Sequence, residues 1–103
     1  MSVAKLPERI IITDDPLRAR VLVSHHLEYA VPLVEQGDFF VFTGSYKDVP
    51  IAVVSTGIGN DNVTSRFSEM IDHGATEVFY IKAFGSKNEF HAASLKVFEM
   101  MTL

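Results

Sequence analysis

The sequence predicts an α/β fold, with a mixed and mostly parallel sheet flanked by helices. Three observations lead to this prediction. The short run Arg9–Thr13 contains three consecutive isoleucines, a β-branched and apolar stretch as expected for a strand buried on both faces of a parallel sheet. Strand-like and helix-like stretches alternate along the chain, which is the pattern of α/β proteins. The 103 residues contain no linker or repeat and fit a single domain, 1–103.

Composition excludes several classes of protein. Hydrophobic residues make up 48% and charged residues 21%, which is typical of a globular domain rather than a disordered chain. The net charge is −4 without any basic cluster, so we expect no nucleic-acid binding. There is no cysteine for a disulfide or a thiolate metal site. Apolar runs are too short for a membrane span and no secretory signal is visible, so we expect a cytoplasmic protein without membrane contact.

The first strand leads into the start of a helix. Asp15 is a good N-cap and Pro16 is a good first helical residue. Apolar residues then recur with helical spacing and form one stripe, which predicts a helix from about Pro16 to Tyr29. The stripe consists of Ala19, Leu22, Val23, Leu27 and Ala30.

A hairpin is predicted next. The stretches Asp38–Tyr46 and Pro50–Ser55 are rich in strand-forming residues, and the short segment 47–49 connects them. The second strand is apolar enough to be central in the sheet. Before the hairpin, Pro32 and Gly37 mark breaks, and no regular element is assigned to the residues around them.

The second half repeats the alternation of helix and strand. After the glycine-containing turn 56–62, amphipathic spacing predicts a helix over 63–74. Glu77–Ala83 is predicted as a strand and Glu89–Met101 as a helix. This last helix is apolar nearly all round, so either a partner subunit covers it or its apolar residues fold back on the sheet.

Two turns that follow strands are candidate ligand sites. At the first, Arg18 lies in the first helical turn and can reach a phosphate, whereas Asp14 and Asp15 would repel one. The alternative is a helix cap with solvated charges. At the second, Gly57 and Gly59 either let backbone N–H groups approach a ligand at a helix N-terminus or form a plain turn.

The histidines and serines indicate no catalytic centre. His25 and His26 are adjacent on a helix and point about 100° apart, so they cannot share one metal ion. All four histidines are interpreted as surface or packing residues. No serine has a base and an acid at a motif spacing, so we assign no catalytic residue and predict no metal site.

Several segments resemble the nucleoside phosphorylase family, of the uridine phosphorylase and hexameric purine nucleoside phosphorylase type. Ile10–Ala19 (IIITDDPLRA) is similar to the family's phosphate loop. Phe42–Lys47, followed by Pro50–Gly59 (PIAVVSTGIG), is similar to its next hairpin. The resemblance covers about residues 8–83 and leaves 84–103 as a divergent C-terminal helix.

The resemblance implies a reaction and the residues that would serve it. Family members cleave a nucleoside with inorganic phosphate to give the free base and ribose 1-phosphate, with no further cofactor. By resemblance, Arg18 grips phosphate, Lys82 stands in for a family arginine, and Asp14 occupies the position of the loop glycine. The turn 57–59, with Ile58 at its centre, would line the ribose.

Departures from the family pattern argue against independent catalysis. Asp14 places a carboxylate where a glycine lets N–H groups touch phosphate. Residues 21–65 contain no arginine, although family members donate one from this region across a dimer interface. Lys82 lacks the bidentate fork of arginine. The chain is less than half of a family member, so we expect a truncated homologue. It is either a phosphorylase with impaired or no catalysis, or a noncatalytic scaffold in a homo-oligomer or with a full-length paralogue.

Overall fold

A computed structural model describes residues 6–56, 72, 74–81 and 86–101. In these ranges the chain forms a five-stranded sheet flanked by helices. Its strands are β1 (Arg9–Thr13), β2 (Glu28–Gln36), β3 (Phe39–Tyr46), β4 (Val49–Ser55) and β5 (Glu77–Ile81). The helices for which the structure gives both ends are α1 (Pro16–His26) and α2 (Lys87–Met101). The helix predicted over 63–74 falls almost wholly outside the described residues.

β1 lies inside the sheet, parallel to β4 on one side and to β5 on the other. Its three isoleucines are fully buried. Ile11 joins the apolar cluster that α1 and α2 cover, whereas Ile10 and Ile12 join the cluster on the opposite face. The predicted strand with two buried faces is therefore confirmed, since a parallel strand covered on both sides has no polar face.

β3 and β4 form the predicted hairpin and pair antiparallel. Lys47 and Asp48 make the turn, with φ of 49° and 67°. Positive φ at both central residues is typical of the type I′ turn, whose twist matches a two-residue hairpin. β4 is central, as predicted, because β1 pairs with its other edge and residues 51–55 are buried.

The prediction of a helix to Tyr29 is wrong, because α1 ends at His26 and the chain continues into β2. Leu27 caps the helix in an extended conformation, and Tyr29 follows with a φ of 56°. Leu27 and Ala30 still pack against the core, but from extended backbone, so their helical spacing does not reflect a helix. The sequence pattern also misses β2 itself, whose Pro32 is tolerated because β2 is an edge strand.

The predicted α/β class with a mixed sheet is confirmed. β1 makes parallel pairs with β4 and β5, and β3 makes antiparallel pairs with β2 and β4. The strand order is β2-β3-β4-β1-β5, so β2 and β5 form the two edges. Because β2 adds a second antiparallel pair, half of the strand pairs are parallel, whereas the sequence predicts that most are.

α2 begins at Lys87 rather than at the predicted Glu89, and it packs on the sheet through one stripe. The buried positions of this stripe are Phe90, Ser94, Phe98 and Met101. Its apolar members join the cluster that β1 and α1 also line, so this part of the helix folds back on the sheet. Leu95 and Met100 stay 37% and 56% exposed. Among the described residues, no helix is both long and apolar enough to cross a membrane.

Candidate ligand site at the carboxyl edge of the parallel strands

The three parallel strands end at one edge of the sheet. Thr13 at the end of β1 is in register with Ser55 of β4 and with Ile81 of β5. The backbone N–H of Thr56 donates to the carbonyl of Thr13 at 3.1 Å, and this hydrogen bond links the end of β4 to the end of β1. Ligands of open α/β sheets bind outside the carboxyl ends of the strands. The chain therefore leaves all three strands at the same edge of the sheet, and the segments that contain the predicted site residues follow these strands in sequence.

Asp15 caps α1 in the predicted way. Its Oδ1 accepts from the backbone N–H of Leu17 at 2.9 Å and of Arg18 at 3.4 Å. Pro16 occupies the start of the helix, where its missing N–H is no loss. The first turn of α1 therefore already has a carboxylate on its N–H groups, in the place where an anionic ligand of a helix N-terminus would bind.

Arg18 is held by contacts on two sides. Its Nε lies 3.7 Å from Asp15 Oδ2, and its guanidinium carbon lies 5.2 Å from the ring centroid of Phe90 on α2. The Arg18 side chain is only 22% exposed. It also lines a groove of about 450 Å³ between α1 and α2. α2 thus reaches the residue that was predicted to grip phosphate.

Asp14 contacts the neighbouring strand. The hydroxyl of Tyr80 on β5 donates to Asp14 Oδ2 at 3.4 Å. Burial first, and then the charge and the hydrogen bond of Asp14, raise the pKa of Tyr80 above its usual 10.0, so the phenol stays a donor at neutral pH. The Asp14 carboxylate is therefore held in the first position after β1, where the resemblance implies a glycine.

Two buried hydroxyls at this edge are not singled out by the sequence analysis. Thr13 is fully buried, and its Oγ1 has no hydrogen-bond partner in the part of the chain that the structure describes. Ser55 is also fully buried and donates to the carbonyl of Asp38 at 2.7 Å, which ties the end of β4 to the turn before β3. The only signal for either residue is a hydroxyl at the end of an apolar strand.

Four of the predicted site residues lie outside the described residues. They are Gly57, Ile58, Gly59 and Lys82. The structure gives the strand residues that precede them, Ser55 and Ile81, but not their own positions. Within residues 6–56, 72, 74–81 and 86–101, no group of three histidine, aspartate or glutamate side chains is placed to hold a metal ion.

Comparison with known proteins gives the family of this chain. The family model described as "Phosphorylase superfamily" matches residues 8–90, which is most of the chain. The protein therefore belongs to the phosphorylase superfamily. The match extends to residue 90, whereas the sequence resemblance was placed at about 8–83, so it includes the first turn of α2.

Its relatives are nucleoside phosphorylases, which confirms the resemblance. The chain is 33% identical over 85 residues to a DeoD-type purine nucleoside phosphorylase of Streptococcus thermophilus, with 82% of this chain and 36% of the relative covered. A similar protein of Streptococcus pneumoniae is 31% identical over 86 residues, with the same coverage. The chain thus spans about a third of the length of the curated relatives it matches.

Solved structures agree with the fold. A uridine phosphorylase from Vibrio fischeri superposes with a TM-score of 0.72 at 28% identity, covering 80% of this chain and 34% of that one. A purine nucleoside phosphorylase from Toxoplasma gondii in complex with immucillin-H gives a TM-score of 0.72 at 24% identity, covering 84% and 34%. The second comparison supports the fold alone. The five-stranded mixed sheet is therefore that of the nucleoside phosphorylases.

Proposed function

We propose that this protein is a nucleoside phosphorylase-type subunit that does not carry out phosphorolysis by itself. The reaction class is the conversion of a purine nucleoside or uridine and inorganic phosphate to the free base and ribose 1-phosphate. The names of the relatives support this class. The observation that carries the loss of independent catalysis is the Asp14 carboxylate, held by Tyr80 at the carboxyl edge of the parallel strands.

Electrostatics supports this proposal. Two like unit charges about 4 Å apart repel by about 1 kcal/mol in water and by about 4 kcal/mol at the effective dielectric of a protein surface. A phosphate at the first turn of α1 would meet Asp14 and Asp15 together. The positive end of the helix offsets only part of this repulsion, since a helix N-terminus contributes about 0.3–1 kcal/mol at an exposed position.

The state of Arg18 supports the same conclusion. Binding phosphate with both arms of the guanidinium requires a fork that is not engaged elsewhere. Here Nε faces Asp15, and the guanidinium lies over Phe90. To bind phosphate, Arg18 would have to give up these contacts. The net free energy of phosphate binding is therefore less favourable than for a guanidinium without them.

A noncatalytic role in an assembly is the second candidate function. β2 is an edge strand, and Tyr29 and Val31 on it are 87% and 55% exposed. Exposed apolar side chains on an edge strand favour contact with another chain. The partner would be a second copy or a full-length paralogue. The oligomer and the cytoplasmic location stay predictions.

A phosphorolysis assay tests the proposal. The purified chain is incubated with phosphate and with uridine, inosine or adenosine in turn, and the free base is measured by chromatography. We expect no free base above the blank without protein, while an active family member assayed in parallel gives a clear signal. Release of base at a rate proportional to the concentration of this protein would contradict the proposal.

A further inference from the structure

The carboxyl end of α1 carries a cluster that the proposed function does not use. His26 is the last residue of α1, and its ring centroid lies 4.7 Å from that of Phe98 and 5.4 Å from that of His91, both on α2. On the sheet side, the ring of Tyr46 from β3 lies 6.3 Å away. We refer to His26, Tyr46, His91 and Phe98 as the histidine cluster. It is one of the places where α2 contacts the rest of the protein.

The surroundings of His26 suit a neutral imidazole. Its Nε2 is buried and has no hydrogen-bond partner among the described residues. Its ring packs on the aromatic rings of Phe98 and Tyr46. Within the part of the chain that the structure describes, no hydrogen-bond partner would compensate a positive charge at Nε2 of a protonated ring, and burying an unpaired charge is costly.

The charged and titratable groups around His26 come from each element packed against it. His25 on α1 and His91 on α2 repel a positive charge on His26. On β3, Tyr46 contributes a phenol ring, and the Lys47 ammonium lies 5.5 Å from that ring. Burial first, and then His91 and His25, lower the pKa of His26 below its usual 6.5. The helix C-terminus acts in the opposite direction, since it favours a positive charge.

We propose that His26 is a pH-sensitive latch, which keeps α2 on the sheet when the imidazole is neutral and releases α2 when it is protonated. This device goes beyond the proposed function and does not depend on it. Release would separate His91 and Phe98 from His26 and let the charged imidazole enter water. It would also remove Phe90 from above the Arg18 guanidinium, so that acidification uncovers a cation at the carboxyl edge of the parallel strands.

The direction of the pH dependence follows from linkage. With α2 released, His26 binds a proton near the usual pKa of 6.5, whereas with α2 docked it binds one only at lower pH. Docking is therefore at full strength above pH 6.5 and weakens as the pH falls toward the docked-state pKa. One proton weakens the docking equilibrium by up to about tenfold for each pH unit in this window.

Hydrogen–deuterium exchange of the full chain tests the latch, from about pH 7.5 to about pH 5, a range that spans histidine titration. After correction for intrinsic exchange rates, we expect the protection of α2 amides to fall by up to about tenfold per pH unit, while β1 stays protected. His26→Phe keeps an aromatic ring and cannot be protonated, so its α2 should stay protected throughout. His25→Gln removes only the smallest of the three contributions that lower the pKa of His26, so it should keep most of the wild-type response.

Several results would overturn the latch. The first is that the protection of α2 amides in the wild type does not change with pH. The second is that β1 and α2 lose protection equally as the pH falls. The third is that α2 of His26→Phe loses as much protection as α2 of the wild type. If His26→Phe does not fold, an NMR titration of the wild-type histidines decides. The His26 imidazole must then titrate below its usual pKa of 6.5, with α2 exchange following the same midpoint. A His26 pKa at or above 6.5 would equally reject the latch.

Discussion

The amino end of α1 is capped by a residue next to it in sequence, whereas the last residue of its carboxyl end packs against side chains from β3 and α2. Asp15 accepts hydrogen bonds from the next turn of its own helix and pairs with Arg18. His26, at the other end, packs against Tyr46 and Phe98, which lie far away in the chain. The comparison shows which contacts are encoded locally and which exist only after the elements have packed.

The largest effect is expected at the carboxyl end. Phe98 is fully buried, and its ring lies 4.7 Å from that of His26 and 4.8 Å from that of Tyr46. Phe98→Ala should lower the free energy of unfolding by about 3–5 kcal/mol, because it removes a buried ring and leaves a cavity. Urea unfolding followed by circular dichroism measures this loss.

The matched control for Phe98 is on the same helix. Leu95 is 37% exposed, so Leu95→Ala should cost about 1 kcal/mol or less. If the two variants lose equal stability, α2 does not contribute to the core through the Phe98 stripe, and the contrast between the two ends of α1 loses its basis.

A smaller effect is expected at the amino end. Asp15→Ala removes the acceptor for the N–H groups of Leu17 and Arg18 and should cost about 1 kcal/mol. Asp15→Asn keeps a cap oxygen and removes the charge that faces Arg18, so it should cost less than the alanine variant. Thermal melts of the two variants make the comparison, and equal losses would mean that the charge rather than the cap stabilises this end.

The locally encoded features could be predicted from the sequence. The cap at Asp15, the buried strand β1 and the β3–β4 hairpin each depend on residues within a few positions, and the structure has all of them. β2 could not be predicted, because Pro32 is unfavourable in most strands and acceptable here only through the edge position of β2. The helical spacing of Leu27 and Ala30 is misleading for a different reason, since the extended C-cap Leu27 and the strand residue Ala30 also face the core.

The candidate site also combines residues that the sequence predicts with contacts that arise only when the elements pack. Arg18 and Asp14 were predicted from their positions after β1. Their partners, Phe90 and Tyr80, come from distant elements, and no local pattern indicates them. Thr13 Oγ1, which has no hydrogen-bond partner among the residues that the structure describes, is equally a product of packing, because neighbouring elements bury the end of β1. Sequence thus predicts which residues lie at the edge, and packing decides what each of them contacts.

The central claim is that the Asp14 carboxylate blocks phosphate at the carboxyl edge, and calorimetric titration with inorganic phosphate tests it most directly. Asp14→Gly should bind phosphate at least about fivefold more tightly than the wild type, the equivalent of about 1 kcal/mol of relieved repulsion. Asp48→Gly removes the same charge from the hairpin turn, at the opposite end of β4, and should change nothing. Adding Arg18→Ala to Asp14→Gly should abolish the gain. Equal phosphate binding by the wild type and Asp14→Gly would contradict the account.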